Sequence, residues 1–325
     1  MLTCCTLTMM RTTMTQSKPV YAIGVDVGGT KVATGLVDTN GTVFDLTTFP
    51  TPPSTQMIAA IAEKVALLKA SAVARGGEVR AIGMGTAGLV DATRGIVLFA
   101  SDSLKGWGGT DVSTGLGGLT GLPVLVENDV KALAAGESQF GAGRGFPRGL
   151  YVAIGTGIGG AIIADGQVEH GANWSAGEIG HSLVDYRGER PCTCGMNGHL
   201  EAYTAGPAMA RRYCERKGLP PDNNLRPVAE AARAGDPDAI EAIREGAHIL
   251  GLALNGAANF VDPDVLVIGG GVPEIGDLWW KPFEAALRSG RMSPPLNVPV
   301  RHAELGTSAV MIGAAYLALR RENAR

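Results

Sequence analysis

Between Gly177 and Glu201 the chain reads G-E-I-G-H-S-L-V-D-Y-R-G-E-R-P-C-T-C-G-M-N-G-H-L-E. His181, Cys192, Cys194 and His199 present two imidazoles and two potential thiolates, the number and kind of donors that a closed tetrahedral zinc site needs. Gly195 and Gly198 let the chain turn around an ion. Four protein ligands leave no open coordination position, so the expected ion is structural, holding the loop that carries Glu178 and Glu201 in one geometry. The competing readings are an incidental or redox pair of cysteines. A Cys192–Cys194 disulfide would close a very tight ring, and the remaining cysteines form no evenly spaced framework.

A second group is Glu127-Asn128-Asp129, between an apolar strand and a helical pattern. It reads either as a helix cap at Asn128 or Asp129, or as a general base with an amide beside it to orient a substrate. A helix N-terminus is expected to keep the carboxylate ionised. Three glycine turns could bring bare backbone against a phosphate chain: Asp26, Gly28, Gly29, Thr30 and Lys31; Gly155, Thr156 and Gly157 through Gly160; and Gly269, Gly270 and Gly271. Each could equally be an ordinary hairpin turn or loop. The first is neither G-x-x-x-x-G-K-[ST] nor G-x-G-x-x-G opening a helix, and strand follows the second, so P-loop and Rossmann sites are disfavoured.

The elements that must position these residues alternate. Strands are expected at Val20–Val27, Val32–Val37, Thr42–Phe49, Val79–Gly85, Pro123–Val126, Leu150–Ile154, Gly160–Ala164 and Val265–Ile268. Helices are expected at Met57–Val73, Val130–Phe140, Ala208–Lys217, Pro227–Ala234, Ala239–Phe260 and Ser308–Arg320. The class is α/β throughout. Both halves open as strand, glycine turn, strand, which points to a duplicated architecture with a cleft between two lobes. Glycines and Pro147 punctuate Gln139 to Gly149, placing the N-terminal lobe at 20–140 and the C-terminal lobe at 141–325. Residues 1–19 read as a disordered tail, and Met14 is a second candidate start that would leave Cys4 and Cys5 outside the protein.

With 325 residues, 45% of them hydrophobic, the chain can bury a sizeable core. A formal net charge of −3 with scattered Lys and Arg gives no nucleic-acid footprint. No apolar run reaches the roughly 18 to 20 residues that span a bilayer, so no membrane span is expected and the cytoplasm is the default.

Taken together, D-V-G-G-T-K at Asp26–Lys31, E-N-D at Glu127–Asp129, G-T-G-I-G-G at Gly155–Gly160, and G-E-I-G-H with C-T-C-G-M-N-G-H-L-E resemble the ROK family of bacterial sugar kinases and repressors. The resemblance covers nearly all of the chain after Val20. It implies a duplicated actin-like, hexokinase-like (ribonuclease H-like) two-lobed fold with a zinc-binding loop. Asp129 then corresponds to the base that activates the C6 hydroxyl of a hexose. Asn128, Glu178, His181 and Glu201 correspond to sugar-binding residues, Gly88 is counted with them, and His181 is also a zinc ligand. Gly28, Gly29, Thr30, Lys31, Gly155, Thr156 and Gly157 would line the phosphates of ATP, Gly270 and Gly271 would approach the adenosine, and Asp26 would partner Mg²⁺ through water.

Two departures stand out. The family usually offers zinc one histidine and three cysteines, and His199 stands at the third cysteine position. Ser101-Asp102-Ser103-Leu104-Lys105-Gly106-Trp107 lacks the asparagine that precedes leucine in the glucokinases' N-L-x-G-W segment. Glucose is the first expectation, with N-acetylmannosamine, N-acetylglucosamine, fructose and mannose as alternatives and ATP or polyphosphate as donor. Family members are commonly dimers, so a homodimer is implied. The rivals are a non-catalytic sugar sensor, which leaves Asp129 and the phosphate loops unexplained, and a repressor, for which the stretch before Val20 is too short to hold a DNA-binding domain.

Overall fold

The structure, a computed structural model, describes residues 18–290 and 297–324. The expected N-terminal tail, apart from Lys18 and Pro19, lies outside the described residues. Two five-stranded sheets organise the rest. In the first, β1 (Val20–Val27), β2 (Lys31–Asp38) and β3 (Val43–Pro50) form an antiparallel meander. β4 (Glu78–Thr86) and β7 (Val124–Asn128) then add in parallel to β1, giving the order β3-β2-β1-β4-β7. A separate hairpin, β5 (Leu89–Asp91) with β6 (Ile96–Phe99), follows β4.

The second sheet repeats the plan. Strands β8 (Gly149–Ile154), β9 (Ile158–Ala164) and β10 (Gln167–Val168) are antiparallel, while β11 (Val265–Gly269) and β12 (Val300–His302) extend β8 in parallel. The order β10-β9-β8-β11-β12 matches the first sheet position for position. In each half the glycine turn therefore sits where an antiparallel hairpin leaves the centre of its sheet, with parallel strands on the other side. The expected duplication is present, and the mixed α/β class is as read from sequence.

The helices are α1 (Ser54–Ala74), α2 (Val112–Thr120), α3 (Asp129–Phe140), α4 (Glu201–Thr204), α5 (Gly206–Lys217), α6 (Leu225–Arg233), α7 (Pro237–Val261), α8 (Asp277–Leu287) and α9 (Ala309–Asn323). Helix α1 turns Met57, Ile61, Val65, Leu68 and Ala72 inward, the 3.6-residue stripe that burial of one face requires. These join Ile23, Met84, Trp107 and Leu116 in the first core. The second core is built by α7 and α8, where Leu250, Leu254, Trp279 and Phe283 meet β8 and β11. Each such large side chain contributes about 1.5–3 kcal/mol of burial free energy.

The expected C-terminal unit, 141–325, is not closed in space. Helix α9 crosses back and lies on β1 and β4 of the first sheet and along α3. Small residues make this possible: a β-carbon built at Gly83 would stand 2.0 Å from the Ala314 carbonyl oxygen, and one at Gly313 1.8 Å from that of Ala132. Only bare backbone fits at that distance. Helix α9 thus braces α3, whose first turn carries Asp129.

Candidate active site and metal cluster

Strand β7 ends on Asn128, and α3 begins at Asp129. Asn128 caps the helix, its Oδ1 accepting from the Lys131 amide at 3.0 Å. Its Nδ2 donates to the Gly88 carbonyl and to Asp129 Oδ1, both at 3.0 Å. Asp129 Oδ1 also accepts from the Val130 amide at 2.9 Å. Asn128 is therefore the cap, and the Asp129 carboxylate accepts from the Asn128 side chain and the Val130 amide.

Burial pushes the Asp129 carboxyl above the usual carboxylate range, although the backbone amides, Asn128 and Lys131 pull the other way. This corrects the expectation that the helix start keeps it readily ionised: desolvation wins over the dipole here. Asp26, at the end of β1, is lifted to about 7, first by burial and then by the negative charge of Asp129, with Lys31 opposing. The two carboxylates sit at the ends of β1 and β7, with β4 between them, close enough for the charge of Asp129 to raise Asp26.

The E-I-G-H turn lies flat on the second sheet. A β-carbon at Gly180 would meet the Ile158 carbonyl oxygen at 2.1 Å, so the G of that motif is fixed by close approach to β9. The turn holds Glu178 with Oε1 3.6 Å from Lys131 Nζ. Burial raises the Glu178 carboxyl; Lys131 and His181 lower it, and Asp129 adds to the rise.

Beyond Glu178 the cluster of His181, Cys192, Cys194 and His199 closes, their donor atoms all within 4.8 Å of one another. Cys192 Sγ is 3.7 Å from His181 Nδ1, and Cys194 Sγ is 3.2 Å from His199 Nδ1. A tetrahedron with Zn–S of about 2.3 Å and Zn–N of about 2.0 Å has S···N edges of about 3.6 Å, so two thiolates and two imidazoles at these distances fit Zn²⁺. Burial raises the Cys192 thiol to about 11, so without a cation it stays protonated.

Glu201 joins the cluster to the second glycine turn. Its Oε1 accepts from Thr193 Oγ1 at 2.6 Å, and its Oε2 accepts from the Ile158 amide at 3.0 Å. That amide directly follows Gly157, where a β-carbon would stand 2.6 Å from Glu201 Oε2. The expected sugar residue is thus also a strut, with lone pairs left over.

In the first turn, the Gly28 amide donates to the Lys31 carbonyl at 3.1 Å, and Thr51 bonds the carbonyls of Gly28 and Thr30. Gly29 abuts Ser103, so the segment that departs from N-L-x-G-W sits against this turn. Thr30 and Lys31 are exposed. In the second half, Gly270 (φ +92°) packs on Ile154, and the Gly155 carbonyl accepts from the Gly206 amide at 2.9 Å. Gly155, Thr156, Gly270 and Gly271 therefore gather at the ends of β8 and β11. Asn128 bonds both Gly88 and Asp129, and the charge of Asp129 acts on Asp26 and Glu178. Cys192 stands between His181 and Glu201, and Gly270 packs on Ile154. A hollow of about 380 Å³ between α3, β9 and α9, lined by Ser138, Gln139, Asp165 and Tyr316, contains none of these residues.

Sequence reasoning gave Glu127 no role of its own within the E-N-D group and passed over Lys131, His170 and Trp174. Lys131, only 1% exposed, donates to the Trp174 carbonyl at 3.0 Å. Glu127, 2% exposed, accepts at Oε2 from the His170 side chain at 2.7 Å and at Oε1 from the Asn128 amide. The signal available was a charge on each side of Asn128-Asp129 in an otherwise apolar stretch.

The sequence model described as the ROK family matches residues 22–321. A glucokinase of Streptomyces coelicolor is 34% identical over 316 residues, covering 91% of this chain and 96% of its own. Among solved structures, the ROK hexokinase of Thermus thermophilus superposes with a TM-score of 0.82 at 33% identity, over 94% of this chain and all of that one. A ROK family glucokinase of Streptomyces griseus, in complex with glucose and AMPPNP, gives 0.78 at 35% identity, over 92% and 99% of the two chains.

Proposed function

The chain belongs to the ROK family, and we propose that it is an ATP-dependent sugar kinase that transfers the γ-phosphoryl group to the C6 hydroxyl of a hexose, with glucose the first candidate. The observation that carries this reading is Asp129. It is a carboxylate at a strand-to-helix junction, pushed above the usual carboxylate range by burial and flanked by the Asn128 amide. Such a group takes a proton from an alcohol most effectively when its affinity lies near the working pH.

In this mechanism Asn128, Gly88, Glu178, His181 and Glu201 hold the sugar hydroxyls and present O6 to Asp129. Asp129 accepts the O6 proton as the oxygen attacks the γ-phosphorus. The amides of Gly28, Gly29, Thr30 and Lys31 and of Gly155, Thr156 and Gly157 cradle the phosphates, and Gly270 and Gly271 adjoin the adenosine. Phosphoryl transfer needs positioning and charge stabilisation more than covalent help, which suits a site built from backbone turns and one base. Asp26 would hold Mg²⁺ through water, and the ion would supply charge neutralisation on the phosphates. His181, Cys192, Cys194 and His199 would hold Zn²⁺, which would supply a rigid cross-link for the loop bearing Glu178 and Glu201. We read the two sheets as two lobes whose approach excludes water from the transfer. The same reading carries the homodimer and the cytoplasm.

The test is ADP release from MgATP with glucose, mannose, fructose, N-acetylglucosamine and N-acetylmannosamine offered one at a time. One hexose turning over well above the others supports the reading and names the acceptor. No ADP with any of them, in protein shown to hold zinc and to be folded, removes it.

A further inference from the structure

Lys131 is a costly residue where it stands. It lies in the first turn of α3, where the helix dipole disfavours a cation, and its side chain is 1% exposed. A buried ammonium persists only with partners. Its Nζ donates to the Trp174 carbonyl at 3.0 Å and stands 3.6 Å from Glu178 Oε1. Trp174 is itself held at φ +65°, in the left-handed region that a bulky side chain avoids. Something must pin that conformation, and the Lys131 bond falls on the strained residue.

A second tie reaches the same segment from the other side of Asn128-Asp129. Glu127 Oε2 lies 2.7 Å from His170 Nε2, and the His170 ring meets the Trp174 ring edge-on with centroids 5.2 Å apart. The Ala176 amide closes the loop onto the His170 carbonyl at 3.1 Å, two residues before Glu178.

Building on the kinase reading above, we propose that Glu127 and Lys131 are positioning residues that clamp the His170–Glu178 segment onto the Asn128–Asp129 junction, so that the hexose-holding Glu178 keeps a fixed place relative to the base. The two charges that bracket Asn128-Asp129 in sequence reach across to one segment more than 40 residues away. The clamp acts on the acceptor side of the site alone, since none of its bonds touches the glycine turns assigned to the phosphates.

The experiment compares wild type with Lys131→Met, Lys131→Arg and His170→Asn. Loss of a buried hydrogen bond to a charged group raises KM for the hexose about tenfold or more in Lys131→Met, while KM for MgATP stays within about twofold. Lys131→Arg, which keeps the charge and its donors, recovers part of that loss. Zinc content stays at the wild-type level. Hydrogen exchange of the amides from 170 to 178 quickens at least about tenfold in the variant. A hexose KM and exchange pattern equal to wild type overturns the clamp, as does an equal rise in both KM values. If Lys131→Met does not fold, His170→Asn, which cuts the partly exposed tie, decides by the same two readouts. If wild type phosphorylates no sugar, the kinase reading falls and the exchange measurement alone judges the clamp.

Discussion

Asp26→Asn should make the protein more stable while disabling it. Burial and the neighbouring charge of Asp129 hold the Asp26 carboxyl at about 7 in the folded protein, against 3.8 when unfolded. Between those values the folded chain binds more protons than the unfolded one, so this residue makes stability fall as pH rises from 3.8 to 7. The cost is absent below pH 3.8 and fully in force above 7. Each tenfold in proton affinity is worth about 1.4 kcal/mol, so the interval corresponds to about 4 kcal/mol at pH 8. Asparagine keeps the shape and removes the charge. Guanidinium unfolding in magnesium-free buffer at pH 4, 6 and 8 should therefore show a gain for Asp26→Asn that is near zero at pH 4 and grows to about 2–4 kcal/mol at pH 8. MgATP should shrink the gain, because only the wild-type carboxylate attracts the cation. A gain independent of pH, or a loss at pH 8, would refute the reasoning, since either means that Asp26 is not a strained carboxylate in the folded state.

Other outcomes follow from the same geometry. Gly313→Ala drives a β-carbon to 1.8 Å from the Ala132 carbonyl oxygen and must part α9 from α3. It should cost about 3 kcal/mol or more, read as a fall in Tm of about 6 °C or more. Cys194→Ser removes one of four donors and should lower zinc affinity at least about tenfold, with a raised KM for the hexose, checked by metal analysis and steady-state kinetics. Because Asp129 must be ionised to accept a proton and burial raises its proton affinity, kcat/KM should reach its plateau at a higher pH than an unperturbed aspartate would give, and a plateau already complete at the ordinary aspartate range would contradict this.

The strands around the site were legible because they are β-branched runs stopped by glycine: β1 and β11 were bounded to within a residue from V-Y-A-I-G-V-D-V and V-L-V-I-G. Others were not. Helix α2 reads V-S-T-G-L-G-G-L-T, whose glycines mask the buried Val112 and Leu116, and α8 carries Pro282 inside. The edge strands β10 and β12 are two and three residues long, too short for a periodicity to register. Asp129 and the four donors proposed for zinc stood out because residue type and spacing point to those chemistries. The bonds of Lys131 and Glu127 did not, because each partner lies 43 residues along the chain and is brought near only by folding. The ionisation of Asp129 was misjudged for the same reason: a helix start is a local feature, whereas burial beside Asp26 is a property of the assembled sheet.

The most direct test of the central claim is a single-turnover reaction of wild type and Asp129→Asn with glucose and MgATP, the product identified by phosphorus NMR and glucose binding measured in parallel. The account predicts an ester at O6 from wild type, and a rate lower by about 10²- to 10⁴-fold in Asp129→Asn with glucose still bound. An Asp129→Asn rate equal to wild type, or a phosphate ester at another hydroxyl, would contradict it.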